Sequence, residues 1–190
     1  MNFNKHSNLV GAHAFLSASQ SAWLRYSDEK FIERYRSANA AKEGTEIHDI
    51  AAKLIEKKIE LPDNGLNICN YVNDGIRFKM KPETVLFYSP NAFATADTIS
   101  FNKNLLRIHD LKTGHSERVK IEDHEDQLKV YAAYFCLEYE VNPCDIRMEL
   151  RIYKNDEVHI FSPDPDEILD IMEKIVHFDK IIQDLKNGEE

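Results

Sequence analysis

Residues 93–112 read FATADTISFNKNLLRIHDLK, and this stretch decides the fold. Two runs rich in β-branched, aromatic and aliphatic residues lie on either side of the short polar segment Asn102-Lys-Asn104. Such an arrangement is typical of two antiparallel strands joined by a hairpin turn. Because side chains at every second position of a strand share a face, Asp110 and Lys112 should emerge side by side.

Pairing of these two strands would also bring Asp97 close to Asp110. Two carboxylates held together in a half-buried place raise each other's pKa unless a divalent cation joins them. Oxygen ligands suit Mg²⁺ or Mn²⁺, and the ammonium of Lys112 could hold an attacking water and neutralise charge developing at phosphorus. The pattern therefore indicates phosphodiester hydrolysis. The alternative is an exposed Asp-Lys ion pair that closes a hairpin and contributes little to stability.

The rest of the pattern predicts a mixed α/β fold, in which a central mixed sheet of four or five strands is flanked by helices. Ser17-Ala-Ser-Gln20 has the spacing of a capping box, which favours a helix start there. Asp164 followed by Pro165 predicts the start of a terminal helix, with an inward side formed by Ile168, Met172, Ile175, Phe178 and Ile182. The predicted helices are about 17–37, 42–60, 68–80, 122–139 and 165–187, and the predicted strands are about 84–89, 93–101, 105–112, 146–153 and 158–161.

Four short motifs occur in a fixed order along the chain. They are Gly44-Thr-Glu-Ile-His48, Ala96-Asp97, Asp110-Leu-Lys112-Thr113-Gly114 and Gln127-Leu-Lys-Val-Tyr131. In this order the sequence resembles the PD-(D/E)XK nuclease superfamily, specifically its RecB-like and phage-exonuclease branch, over residues 15 to 153. Leu16-Ser-Ala-Ser19-Gln20 and Glu43-Gly-Thr45 also look like phage members of that group. The resemblance implies a restriction-endonuclease-like core.

The resemblance also implies roles for individual residues. Asp97 and Asp110 would bind metal, the backbone carbonyl of Leu111 would complete the site, and Lys112 would be the catalytic lysine. His48 would be a further metal ligand or would orient one. Gln127 and Tyr131 would lie at the active-site cleft and help to hold the scissile region of DNA, so they are included with the catalytic residues.

Each of these residues also has a purely structural interpretation. His48 borders the apolar stripe of a helix, so a histidine satisfied at the edge of the core is the alternative. Gln127 and Tyr131 are four residues apart and share a helix face, and their alternative is partial burial with ordinary hydrogen bonds. Some relatives carry a further acidic residue on the first helix or before the first strand. The candidates for that position are Glu43, Glu46 and Glu83, and none is assigned.

Length and composition limit the protein's class. A chain of 190 residues with 43% hydrophobic residues can bury a sizeable core, so one domain over 1–190 is expected. We expect its nuclease core at about 15–153 and a C-terminal helix at about 165–187. No apolar run approaches the roughly 20 residues that a membrane span requires, and the first residues lack the order of a signal peptide. A cytoplasmic protein is therefore expected, in the host cell if the chain is phage-encoded.

Zinc, an iron-sulfur cluster and a nucleotide cofactor are not expected. Cys69, Cys136 and Cys144 are too few and too scattered for a disulfide framework or a zinc site. Some RecB-like relatives hold an iron-sulfur cluster with four cysteines, which three cannot supply. No glycine-rich loop precedes Lys112 and Thr113, so no nucleotide cofactor is expected.

The formal net charge of −9 is the main objection to an enzyme of nucleic acids, because lysine and arginine contacts to phosphate provide most DNA affinity. Metal-binding carboxylates are part of that total, and cations offset them. Arg118, Lys120 and Lys129 flank the lysine motif and are the predicted DNA contacts. An oligomer or a partner could add affinity by avidity.

The sequence thus predicts an Mg²⁺- or Mn²⁺-dependent DNA exonuclease of phage or prophage origin that acts in recombination or DNA processing. Two alternatives stay open: a structure-specific endonuclease on the same core, and a DNA-binding accessory module without turnover. The expected partners are DNA, a single-strand annealing protein or recombinase, and further copies of this chain, with no membrane.

Overall fold

The computed structural model describes residue 22, residues 24–113 and residues 121–188. The chain divides into two units, Met1–Glu43 and Gly44–Glu190. In the first unit, Phe31 and Tyr35 stack with ring centroids 6.4 Å apart, and Lys30 Nζ lies 5.1 Å from the centroid of the Tyr26 ring. The expectation of one domain over 1–190 stays a prediction.

Helices and strands alternate in blocks along the chain. The helices are α1 (Asp28–Lys57), α2 (Asn67–Arg77), α3 (Ile121–Glu138) and α4 (Pro165–Asn187), with a short 3-10 helix at Pro143–Asp145. The strands are β1 (Lys81–Ser89), β2 (Ala92–Asn102), β3 (Leu105–Leu111), β4 (Arg147–Lys154) and β5 (Glu157–Phe161).

The five strands form one mixed sheet in the order β1-β2-β3-β4-β5. Strands β1, β2 and β3 pair antiparallel, β3 and β4 pair parallel, and β5 returns antiparallel to β4. The parallel pair requires a crossover connection, and α3 provides it. Strand β1 forms one edge of the sheet, where the Phe87 N–H donates a hydrogen bond to Glu138 Oε2 at 2.8 Å.

The hairpin that was predicted from residues 93–112 closes with a two-residue turn. Lys103 and Asn104 both have positive φ, 50° and 58°, and Asn102 is paired with Leu105 across the turn. Positive φ at both central residues is the feature of type I′ turns, which match the twist of the flanking strands. Asparagine tolerates this left-handed region better than most residues, which explains the polar connection.

Two apolar clusters hold the second unit together. The larger cluster joins the sheet to α3 and α4 through residues such as Leu86, Ile108, Leu128, Leu150 and Ile168, all fully buried. The smaller cluster joins β3 and β4 to residues of α1 beyond Gly44 and to α2, and it includes Ala51, Ile55, Tyr71, Val72, Leu111 and Tyr153. The fold is therefore a mixed five-stranded sheet flanked by helices, consistent with the restriction-endonuclease-like core that the sequence predicts.

Two details of the predicted fold are wrong. A single helix, α1, replaces the two helices predicted at 17–37 and 42–60; no proline or glycine separates Ser37 from Lys42, and the alanines there favour helix. Phe178 and Ile182 do not face inward as predicted, because 58% and 37% of them are exposed. Asp179 takes the inward position and accepts hydrogen bonds from Ser89 Oγ at 2.6 Å and Asn91 Nδ2 at 2.9 Å.

Other parts of the sequence pattern agree with the structure. The Asp164 side chain caps α4 by accepting a hydrogen bond from the Asp166 N–H, and Pro165 is the first helical residue. The proposed capping box at Ser17–Gln20 lies outside the described residues. None of the helices in the described ranges carries an apolar segment of the length that a membrane crossing needs.

Close packing between α1 and α2 gives a first testable prediction. A Cβ at Gly75 would lie 2.8 Å from Ile55 Cδ1, and Ile55 is buried. Gly75→Ala should therefore lower the free energy of unfolding by about 1 kcal/mol, because overpacking outweighs the gain in helix propensity. Urea unfolding measures the change.

The matched control is the same substitution in an Ile55→Ala background, which lacks both Cδ1 and the Cγ1 atom that would lie 3.0 Å away. There Gly75→Ala should be neutral or stabilising by up to about 1 kcal/mol. Equal destabilisation in both backgrounds would show that Ile55 is not the obstacle.

Candidate functional site

The two aspartates that the sequence singles out lie where β2 and β3 separate. The paired register of these strands ends at Thr98 and His109, so Asp97 and Asp110 come directly after the last pair. Beyond that point the Leu111 N–H donates to Asp97 Oδ2 at 3.1 Å instead of to a β2 carbonyl. The side chain of Asp97 thus holds the end of β3 in place.

Helix α1 and strand β1 bring two further side chains to Asp97. His48 Nδ1 lies 3.2 Å from Asp97 Oδ2. One ligand atom each from His48, Glu83 and Asp97 lies within 4.8 Å of the other two. Glu83 has a φ of 47°, a left-handed conformation inside a strand, and such strain is found where the surrounding structure fixes a residue for function.

Gly44 explains how α1 can approach the end of β3. A Cβ at this position would lie 2.7 Å from Thr113 Oγ1. A larger residue would push α1 away from Thr113, the residue that follows Lys112. Gly44, four residues before His48, therefore allows the close packing of α1 against Thr113.

Asp110, Lys112, Gln127 and Tyr131 form one chain of hydrogen bonds. Lys112 Nζ lies 2.9 Å from each carboxylate oxygen of Asp110 and donates to Gln127 Oε1 at 2.9 Å. Gln127 Nε2 donates to Tyr131 Oη at 2.8 Å and lies 3.4 Å from Asp110 Oδ1. The amide of Gln127 thus connects the lysine on the sheet to the tyrosine on α3.

The ionised carboxylate of Asp110 is disfavoured by its surroundings. Only 1% of the residue is exposed, and burial together with the nearby charge of Asp97 raises its pKa to about 6, although Lys112 opposes the shift. Oδ2 of Asp110 accepts no hydrogen bond from the described residues, despite its proximity to Lys112 Nζ. A buried carboxylate oxygen without a donor is suited to a cation.

The pKa of His48 is also raised, but here the shift favours the charged form of the side chain. Its hydrogen bond to Asp97 raises the His48 pKa, burial opposes this, and the charges of Asp97 and Asp110 and a hydrogen bond to the Leu111 backbone add to the increase. The imidazole, the carboxylates and the Leu111 backbone thus meet at one place. This set of donors fits a divalent cation.

Some predicted residues lie elsewhere. Arg118 and Lys120 lie outside the described residues, as does the side chain of Glu43. Lys129 lies on another side of α3, where its ammonium is 3.2 Å from Glu167 and 3.8 Å from Asp126. The structure does not bring Lys129 to the cluster around Asp97, which consists of His48, Glu83, Asp97, Asp110 and Lys112. Glu46 is exposed on α1.

Among the described residues, Glu83 is the one of the three candidates for a further acidic residue that lies beside Asp97, and the sequence did not select it. It follows Pro82 in the first strand, and its proximity to Asp97 depends on the pairing of β1 with β2 rather than on spacing. Its pKa is raised, first by burial and then by the charge of Asp97. An acidic residue at the start of a strand next to the Asp97 strand was the only sequence signal for it.

The metal-free protein offers a direct test of the charge on Asp110. Because its pKa of about 6 in the folded state exceeds the ordinary value of 3.8, the ionised carboxylate destabilises the fold above pH 6. This cost declines as the pH falls and disappears below 3.8. Asp110→Asn should therefore stabilise the protein in chelator at pH 8 by on the order of 2 kcal/mol, and much less at pH 4.5. Urea unfolding at both pH values measures this.

Asp170→Asn is the matched control, because Asp170 is exposed on α4. It should change the free energy of unfolding little at either pH. If Asp110→Asn destabilised the protein at pH 8, the ionised Asp110 carboxylate would not be a destabilising group.

Comparison with known proteins gives one match. The model of the family described as "Protein of unknown function (DUF2800)" matches residues 84–182, more than half of the chain. The matched range includes Asp97, Asp110, Lys112, Gln127 and Tyr131. Neither the curated proteins nor the solved structures contain a match. The chain therefore belongs to the DUF2800 family, whose description assigns no activity.

Proposed function

We propose that this DUF2800 protein is a divalent-metal-dependent deoxyribonuclease of the PD-(D/E)XK superfamily that hydrolyses phosphodiester bonds as an exonuclease. One observation carries the proposal: the carboxylates of Asp97 and Asp110 and the ammonium of Lys112 converge from adjoining strands, with His48 and Glu83 beside them. A surface ion pair at a hairpin would need none of these additional groups. The superfamily assignment rests on the resemblance of the four motifs and on the order of the helices and strands.

The residues that would hold the metal are His48, Glu83, Asp97, Asp110 and the Leu111 carbonyl. A bound Mg²⁺ or Mn²⁺ would polarise the phosphoryl oxygen and lower the pKa of an attacking water. Asp110 Oδ2 is buried and accepts no hydrogen bond from the described residues, so it would be available to a cation beside the Lys112 ammonium.

The contacts of Lys112 support the proposed role of a catalytic lysine. Its ammonium lies between the buried Asp110 carboxylate and Gln127 Oε1, so two fixed acceptors orient two of its three N–H bonds. The third N–H bond, which donates to no other acceptor among the described residues, would bind water or a phosphate oxygen and stabilise negative charge there. Gln127 is a positioning residue for Lys112, and it also orients the hydroxyl of Tyr131.

Substitution of Lys112 tests the catalytic role. Lys112→Ala should reduce cleavage of linear DNA at least 100-fold, because the charge that stabilises the transition state is removed. Chelator should stop the wild-type reaction. A gel assay of linear single-stranded and double-stranded DNA with Mg²⁺ or Mn²⁺ measures both effects.

Lys174→Ala is the control for this substitution, since Lys174 is exposed on α4; it should retain wild-type activity. Circular dichroism and Mn²⁺ titration should show that Lys112→Ala keeps its fold and its metal affinity. Wild-type rates in Lys112→Ala would reject the role of this lysine. Absence of metal-dependent cleavage in the wild type would favour the accessory DNA-binding module.

The form of the DNA distinguishes exonuclease from endonuclease. An exonuclease needs an end, so a covalently closed circle should stay intact while the same DNA, linearised, is degraded to nucleotides. Gel electrophoresis of both forms over one time course provides the measurement. Nicking or linearisation of the circle would instead identify a structure-specific endonuclease on the same core.

Partners follow from the same proposal. With a net charge of −9, a single copy should bind DNA weakly at physiological salt. A homo-oligomer, or an annealing protein or recombinase bound to the same DNA, would raise the effective affinity. We place this activity in recombination or DNA processing, in the cytoplasm of the cell that makes the protein.

A further inference from the structure

A cavity of about 490 Å³ lies beside the candidate site, between the start of β1, the end of β2 and the C-terminal half of α3. We propose that this cavity, the α3 groove, binds an unpaired segment of a single DNA strand. Its walls include Phe101, Phe135, Tyr139, Lys79, Lys81 and Thr84. The inference rests on the proposed function in one respect: DNA is chosen as the nucleic acid because the neighbouring site is proposed to cleave it.

Aromatic side chains form one wall of the α3 groove. The ring centroids of Phe101 and Phe135 are 5.1 Å apart, and those of Phe135 and Tyr139 are 5.0 Å apart. Phe135 is buried, whereas 43% of Phe101 and 54% of Tyr139 are exposed. Exposed rings at the edge of a cavity offer stacking surfaces for bases, and each stacked base is worth roughly 1–3 kcal/mol.

Charge distinguishes the α3 groove from the rest of this acidic chain. Among the described residues that line it, the charged ones are Lys79 and Lys81, and both are exposed. The whole chain carries 33 acidic against 24 basic residues, whereas both charged residues on this lining are basic. Lysine next to aromatic rings fits phosphate next to bases.

The α3 groove lies next to the candidate site along β1. Glu83 lies between Lys81 and Thr84, which both line the groove, and two residues of a strand span about 7 Å. One ligand atom of Glu83 is within 4.8 Å of a ligand atom of Asp97. A DNA strand that leaves the groove along β1 therefore passes Glu83 on its way to Asp97.

The groove favours a single strand over a duplex because a base pair inside a duplex does not present its faces to a protein. An unpaired base can place its ring against Phe101 or Tyr139, and its phosphate against Lys79 or Lys81. A peptide with acidic and aromatic residues has the same two chemical features. Continuity with Glu83 favours the nucleic acid, and the peptide becomes a competing outcome of the test.

Fluorescence anisotropy tests the proposal. It measures how tightly the full chain binds a fluorescein-labelled oligothymidylate of 20 nucleotides, with Ca²⁺ in place of Mg²⁺ or Mn²⁺. Tyr139→Ala should weaken binding about tenfold through lost stacking. Lys79→Gln combined with Lys81→Gln should also weaken it about tenfold at low salt. The double substitution should reduce the slope of log affinity against log salt by about 1.4, since two phosphate contacts disappear.

The matched controls are Phe178→Ala and the pair Lys174→Gln with Lys180→Gln. Phe178 is as exposed as Tyr139, and both lysines are exposed on α4, away from the residues that line the groove. These controls should bind within twofold of the wild type. Thermal unfolding of every variant separates lost binding from lost folding.

Three results would overturn the proposal. The first is that the groove variants bind the oligothymidylate like the controls. The second is an equal loss of affinity for a blunt 20-base-pair duplex, which would remove the single-strand assignment. The third is that a short peptide of aspartates with a terminal phenylalanine binds in a groove-dependent way while the oligothymidylate does not compete.

Metal-dependent hydrolysis of bis(p-nitrophenyl) phosphate by the wild type tests the nuclease proposal separately from the proposal for the α3 groove. This substrate has no base and reports only on the cluster around Asp97 and Lys112. Hydrolysis together with unchanged oligothymidylate binding by the groove variants would reject the groove alone. No hydrolysis together with groove-dependent binding would reject the nuclease activity and leave the groove as a nucleic-acid site.

Discussion

The burial of the Asp110 carboxylate beside Asp97 is the constraint around which the candidate site is built. Two acidic groups at the end of neighbouring strands are stable only with compensation, and three features of the structure supply part of it. Lys112 pairs with Asp110, the Leu111 N–H is donated to Asp97, and His48 lies against Asp97. The pKa of Asp110 still stays raised to about 6, so the protein alone compensates incompletely and a cation would complete the balance.

Much of the fold could be predicted because its signals are local. The strands around Asp97 and Asp110 show alternation of side chains, and Asn102-Lys-Asn104 tolerates the backbone of a tight turn. The cap at Asp164 and the following proline mark the start of α4. Proximity of Asp97 to Asp110 follows from a hairpin with only a short connection, so sequence spacing was enough to place both side chains in the same region.

The remaining features depend on packing between distant segments, which spacing does not encode. Glu83 reaches Asp97 only through the pairing of β1 with β2 and through an unusual backbone conformation. Phe178 continues the apolar stripe of α4 in sequence, yet Asp179 faces the turn between β1 and β2, where Ser89 and Asn91 satisfy it. Lys129 looked like a free cation near the lysine motif, but Glu167 on α4 lies beside it.

The contact between Glu138 and the edge strand β1 has a consequence for how copies of this chain can associate. The carboxylate of Glu138 occupies the Phe87 N–H, which is a group that an incoming strand would need for continuous backbone pairing. A neighbouring chain that tried to lengthen the sheet at this side would have to displace a charged group. The carboxylate of Glu138 therefore hinders the addition of a strand at the part of this edge where the rings of Phe87 and Phe93 are exposed.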